Sequence, residues 1–244
     1  GGKFTDEQAI LSQAEKMLEE GATFLDLGAY SSRPGADLIS EAEELQRILP
    51  VVKLLIARFP NIILSVDTFR SGIAAACLSE GAAIINDISG GKQDENMFAT
   101  VARHKAPFVM MHMRGTPQNM QQQTDYDNLS VDILKYFSEQ LAMARSYGLH
   151  DLIIDPGFGF SKTLEQNYEL LAQLALFKTL GHPILVGLSR KSMIYKLLET
   201  DAENALNGTT ALHSIALSKG AQILRVHDVK EAMECIRLMQ QLGV

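Results

Sequence analysis

The chain has 244 residues, enough for one large domain or two small ones, and its 46% hydrophobic content supplies an ample core. A net charge of −7 argues against a nucleic-acid or anionic-membrane surface. No stretch approaches the roughly 20 apolar residues of a membrane span, no secretory signal opens the chain, and a cytoplasmic enzyme is expected.

In chain order, Thr5-Asp6-Glu7-Gln8 offers a capping box, and Ile10, Leu11, Ala14, Met17 and Leu18 follow at helical spacing until Gly21. An apolar run ending in a polar residue comes next, Phe24 to Asp26. Glu41 to Arg58 forms an amphipathic helix with Leu45, Ile48, Leu49, Val52 and Leu55 on one face, and Pro50 inside it is a candidate kink. The run Ile62 to Asp67 leads to a helix over Ser71 to Glu80, closed by Gly81. The runs Ile84 to Asn86 and Phe108 to His112 flank a helix over Glu95 to Arg103. Arg114 to Asn128, polar and Gln-rich, reads as a mobile loop. Beyond it the pattern alternates again. Helices over Leu129 to Tyr147, Leu164 to Phe177, Lys191 to Glu199, Glu203 to Ser218 and Lys230 to Leu242 surround the runs Leu152 to Asp155, Ile184 to Lys191 and Ile223 to His227. Cys77 and Cys235 lack metal or redox spacing and read as buried reduced thiols.

A buried parallel strand reads as an apolar run because helices cover both its faces. Here all seven runs end in a polar residue, and ligands bind at the carboxyl ends of such strands. The alternation predicts an α/β fold, with residues 1–244 as a single domain. A TIM-type (β/α)8 barrel is favoured over an open doubly wound sheet, because polar residues follow every strand rather than flanking one switch point. A barrel needs eight strands, so the first strand and its loop are expected to precede Gly1.

Three segments carry most of the chemistry. Asp155-Pro156-Gly157-Phe158-Gly159-Phe160 puts a carboxylate at a strand end before a glycine-rich turn. It suits either the paired N–H donors of a heterocycle or a cap on the turn. Gly187-Leu188-Ser189-Arg190-Lys191-Ser192 puts two cations and two hydroxyls where a strand enters a helix, a place that favours anions. Basic residues oppose the helix dipole there, so Arg190 and Lys191 read as functional rather than structural. Arg225 and His227 lie two residues apart on one strand face, and both can donate to an oxyanion. Ser31-Ser32-Arg33-Pro34-Gly35 adds an arginine in what is ordinarily a surface loop.

Together, Ser31 to Ala36, Ser65-Val66-Asp67-Thr68, Ile85-Asn86-Asp87, Asp155 to Phe160, Ser189-Arg190-Lys191 and Arg225-Val226-His227-Asp228 resemble, in order, the dihydropteroate synthases. That resemblance implies a (β/α)8 barrel joining a hydroxymethyl-dihydropterin pyrophosphate to p-aminobenzoate, and a sulfonamide target class. It implies Asp67, Asn86, Asp155, Lys191 and Met111 at the pterin, although Met111 suits a core role equally. Asn86, Arg225 and His227 would take the pyrophosphate. Ser32, Arg33, Pro34, Phe160, Lys191 and Ser192 would form the p-aminobenzoate site. Asp155, Lys191 and Arg225 would be the catalytic groups.

The resemblance further implies Mg2+, bound with help from an Asn in a loop expected before Gly1, and a homodimer. Ala29-Tyr30-Ser31-Ser32 departs from the more usual Gly-Glu-Ser-Thr, which leaves inhibitor sensitivity open. Two other functions suit the same residues. One is a pterin-dependent methyltransferase with the same acidic pterin pocket, and the other is a non-catalytic pterin-binding protein.

Overall fold

Short parallel strands alternate with helices through the described residues, 6–30 and 39–243 of a computed structural model. Contacts gather the chain into two compact units. One holds residues up to Met111 together with Gln140–Leu152, and the other holds His112–Glu139 together with the chain from Ile153 onward.

In the first unit the order is α1 (Glu7–Glu19), β1 (Leu25–Leu27), α2 (Glu41–Arg58), β2 (Leu64–Asp67), α3 (Ser71–Ser79), β3 (Ile84–Asp87), α4 (Met97–His104) and β4 (Phe108–Met111). Helix α1 is capped by Asp6, whose carboxylate accepts from the Ala9 N–H at 3.1 Å. The acid supplies the cap expected of Thr5, which lies outside the described residues. Helix α2 continues as a helix through Pro50. The four strands are parallel neighbours in sequence order, with Asp26 opposite Ser65, Asp67 opposite Asn86, and Asn86 opposite Val109. Side chains alternate along a strand, so Asp26, Ser65, Asp67 and Asn86 share one face. Fully buried Val66 and Ile85 belong to the other.

A buried ion pair braces this unit. Glu44 on α2 is 0% exposed and accepts from Arg70 at 2.5 Å and from the Thr68 hydroxyl at 2.8 Å. The Arg70 guanidinium also donates to the Ile39 carbonyl at 2.7 Å and lies over the Tyr30 and Phe69 rings.

The second unit takes in the start of α5 (Leu129–Ser146) and most of β5 (Leu152–Asp155), then α6 (Leu164–Ala172), β6 (Leu185–Val186), α7 (Ser192–Tyr195), α8 (Leu206–Ser218), β7 (Ile223–Leu224) and α9 (Val229–Gln241). Ile154 bridges Ile184 in parallel, and Leu185 and Val186 pair with Ile223 and Leu224. Helix α6 begins on a reciprocal capping box between Thr163 and Gln166. It gives way after Ala172 to a 3-10 segment, Leu174–Leu180, so the helix predicted to reach Phe177 stops five residues early. Helix α7 is a single turn rather than the predicted Lys191 to Glu199.

The stretch 114–128, predicted as a mobile loop, is instead tied down by side-chain contacts with its neighbours. The Arg114 guanidinium lies 3.8 Å from the centre of the Tyr126 ring and pairs with Asp132 at 3.0 Å. Tyr126 donates to the Ser161 carbonyl at 3.0 Å, and Gln166 donates to the Thr124 carbonyl at 2.8 Å.

Removing one partner of a buried ion pair leaves the other uncompensated. Glu44→Ala is therefore expected to lower the unfolding free energy by about 3 kcal/mol in a denaturant titration. A change near zero would mean that Arg70 finds an equivalent partner.

Candidate active site

Each unit carries its own polar cluster at strand carboxyl ends. In the first, Asp26 is the hub. Its two carboxylate oxygens accept from the Ser65 hydroxyl at 2.6 Å and from the Asn86 amide at 3.3 Å. Asp67 ends β2 on the same face, opposite Asn86. The row offers carboxylate and amide groups side by side, which suits a flat ligand rich in N–H donors. Asp87, next to Asn86, has a different task. It is fully buried, and its carboxylate accepts from the N–H groups of Ser89 and Gly91 at 2.7 and 2.9 Å, while burial pushes its pKa up to about 6.

The second cluster forms where the turn after β5 meets the residues after β6 and β7. Asp155, the last residue of β5, is buried and accepts from the Gly157 N–H at 2.8 Å. Burial raises its pKa, while Lys191, the Gly157 N–H, Arg225 and Lys162 pull it back. Burial also pushes the Lys191 ammonium down to about 8, opposed by Asp155 and assisted by Arg225. Lys191 donates to the Phe158 carbonyl and lies 4.8 Å from the centre of the Phe160 ring. His227 shares a 2.9 Å hydrogen bond between Nδ1 and the Ser189 hydroxyl. One buried acid among Lys162, Lys191 and Arg225 leaves a surplus of positive charge, which suits a multiply charged anion.

The turn between Asp155 and Phe160 requires its glycines. Gly157 has φ +75°, and a Cβ there would meet the His112 carbonyl oxygen at 2.0 Å; Gly159 has φ +80° and would crowd the Lys191 stem. A cleft of about 270 Å³ opens beside it, lined by Gly159, Lys162, Asn167, Ser192 and Lys196 among others.

Of the residues singled out from the sequence, Asp67 and Asn86 stand together in the first unit. Asp155, Phe160, Lys191 and Arg225 converge in the second, with His227 held by Ser189 and Ser192 on the cleft wall. Met111 ends β4 and is 3% exposed, at a core position. Ser32, Arg33 and Pro34 lie outside the described residues. Arg190 is a correction. It forks onto both oxygens of Asp228 at 2.7 and 2.8 Å and donates to the Ala202 and Glu203 carbonyls, so its donors are engaged within the structure. Asp228 answers the charge that the helix dipole would have opposed.

Asp26 and Lys162 have no role assigned from the sequence, and Ser189 counts there only as a hydroxyl at the strand–helix junction. Asp26 carries the same strand-end signal that marked Asp67. Lys162 stands two residues past the aromatic turn, in a position that resembles an exposed loop lysine until the turn folds over it.

The family described as pterin binding enzyme matches residues 1–227 of this chain. A dihydropteroate synthase of Synechocystis is 42% identical to it, over 99% of this chain and 84% of the relative. The crystal structure of a Yersinia pestis dihydropteroate synthase with a sulfonamide drug complex aligns with a TM-score of 0.95 at 40% identity, covering 100% of this chain and 88% of that one. A Xanthomonas albilineans dihydropteroate synthase with 4-aminobenzoic acid aligns with a TM-score of 0.91 at 36% identity, over 100% and 88%.

Gly157→Ala is expected to cost about 2 kcal/mol or more of stability, from a positive φ and a contact with backbone. A denaturant midpoint within error of the unmodified chain would show that the turn can shift. Lys191 loses its proton near 8, so anion affinity is fullest at low pH and declines as pH rises through that value. Calorimetric titration with sulfate, whose own charge is constant there, should show the decline. Constant affinity up to pH 9 would exclude Lys191 from the anion site.

Proposed function

Because the chain belongs to the pterin-binding enzymes, and among them to the dihydropteroate synthases, we propose that these two clusters carry out that family's reaction. The fold is the TIM-type (β/α)8 barrel, and the open doubly wound alternative is set aside. The activity is a transferase reaction that condenses 6-hydroxymethyl-7,8-dihydropterin pyrophosphate with p-aminobenzoate, giving 7,8-dihydropteroate and pyrophosphate. Kinship over nearly the whole chain carries this reading, and it removes support from the methyltransferase and the non-catalytic binder. A single match running through residues 1–227 supports one pterin-binding domain.

In our assignment Asp67, Asn86 and Asp155 accept from the pterin N–H edges, with Lys191 and Met111 against the ring. Asn86, Arg225 and His227 take the diphosphate. Phe160, Lys191 and Ser192 receive p-aminobenzoate, joined by Ser32, Arg33 and Pro34. The bond between the methylene carbon and the diphosphate oxygen breaks first, and its electron pair departs with the diphosphate. Arg225 and His227 stabilise that growing charge. Asp155 stabilises the electron-poor pterin left behind. The neutral aniline nitrogen then attacks the carbon and releases its proton to solvent, so no strong base is needed.

Mg2+ would neutralise the diphosphate. Among the described residues no group of three or more His, Cys, Asp or Glu side chains is placed to hold a metal ion. These residues do not form a cage for it. Magnesium keeps several waters and leans on substrate phosphates, so we propose that it arrives with the diphosphate. Ile215 on α8 and Leu238 and Leu242 at α9 are exposed apolar residues that support a homodimer. We propose a cytoplasmic location; among the described residues no helix is long and apolar enough to cross a membrane.

The direct test is release of pyrophosphate from the pterin pyrophosphate, with Mg2+ present, that depends on added p-aminobenzoate. No p-aminobenzoate-dependent release would overturn the reading. Lys191→Ala and Arg225→Ala should each remain folded yet lose about 2.7–4 kcal/mol of barrier lowering, on the order of a hundredfold to a thousandfold in kcat. Near-normal turnover in either would remove that residue from the assignment.

A further inference from the structure

Lys162 is 4% exposed, and its ammonium is engaged on three sides. It donates to the carbonyls of Gly157 and Phe160, each at 2.9 Å, and meets Nδ1 of His112 at 3.2 Å. Those two carbonyls bracket the aromatic half of the turn. Between them, the Phe158 carbonyl accepts from Lys191, and the Phe160 ring lies under the same ammonium. Lys162 thus closes the loop of backbone on which both Lys191 contacts depend.

His112 gives this arrangement a fixed base. Its ring meets Tyr136 edge-on at 4.8 Å, and its backbone N–H donates to the Asp155 carbonyl at 2.9 Å. The turn has a second, independent anchor, because the Gly159 N–H donates to the Asn167 side chain at 2.6 Å. Losing the Lys162 ammonium should therefore loosen the turn without dissolving it. A buried cation is an expensive way to hold two carbonyls. Burial depresses this one to about 7, with Asp155 opposing and Lys191 and Arg114 assisting.

We propose that Lys162 is a positioning residue whose ammonium fixes Phe160 and, through the Phe158 carbonyl, Lys191, in the arrangement that receives the arylamine substrate. This rests on the assignment of Phe160, Lys191 and Ser192 to p-aminobenzoate. The cleft beside the turn is lined by Lys162 together with Gly159 and Ser192, so a shift of the turn reshapes the same space. The pterin should feel the change less, because Lys191 is only one of its assigned groups, Asp67 and Asn86 belong to other strands, and Asp155 keeps its own bond to the Gly157 N–H.

Steady-state kinetics on the full chain, with each substrate varied in turn, tests the proposal in Lys162→Met and Lys162→Gln, with thermal melting as a folding check. Lys162→Met should raise the KM for p-aminobenzoate about tenfold or more, while that for the pterin pyrophosphate moves by less than about threefold. Lys162→Gln keeps an N–H that can reach one carbonyl and should recover part of the loss. Two KM values that rise together, or a fall in kcat alone, would mark a merely structural lysine and overturn the proposal. So would failure of both variants to fold. An unmodified chain that ignores p-aminobenzoate would overturn the functional reading and this inference with it. An active chain whose KM is unchanged in the folded variants would overturn the inference alone.

Discussion

Asp155 is a buried acid in the company of Lys162, Lys191 and Arg225, and the second cluster depends on that imbalance. Each lysine is driven toward neutrality by burial and held back from it by the same carboxylate. Both sit below their ordinary value of 10.5, so the unfolded chain binds more protons than the folded one between about pH 7 and 10.5. Folding therefore carries a penalty at neutral pH from keeping these ammonium groups charged, a penalty that fades as pH rises. That cost is consistent with a site poised for an anion, whose arrival supplies the missing negative charge.

The first unit solves a simpler problem. Parallel register sets Asp26 opposite Ser65 and Asp67 opposite Asn86, and the pleat turns all four to one face. Asp26 spends both carboxylate oxygens on orienting its neighbours, which fixes the Asn86 amide by a bond rather than by packing alone. Asp87, one residue further along β3, points to the opposite face and organises the following loop. A single step along a strand separates a ligand-facing amide from a structural acid.

Much of this was legible in the sequence, for a definite reason. Strands buried on both faces must be apolar, so a polar residue at the end of such a run stands out, as Asp67, Asn86 and Asp155 do. The positive φ of Gly157 and Gly159 matches the glycine-rich turn. Side chains whose meaning depends on a distant partner were not legible. Arg190 resembled a ligand-binding cation until Asp228, 38 residues later, met both prongs of its guanidinium. Arg114 to Asn128 resembled a mobile loop because its composition is polar, yet Tyr126 and Arg114 stack on each other and bind Ser161 and Asp132. Lys162 escaped notice because the carbonyls it binds come from backbone, which leaves no mark in composition.

The electrostatic partnership can be read directly from the lysine side chains. A carbon-13 NMR titration of the lysine Cε resonances, in the unmodified chain and in Asp155→Asn, follows each ammonium separately. Lys191 should titrate near 8 and Lys162 near 7, and both should move lower once the carboxylate that retains their protons is neutralised. Two lysines titrating at their ordinary 10.5, or unmoved by the substitution, would contradict the partnership.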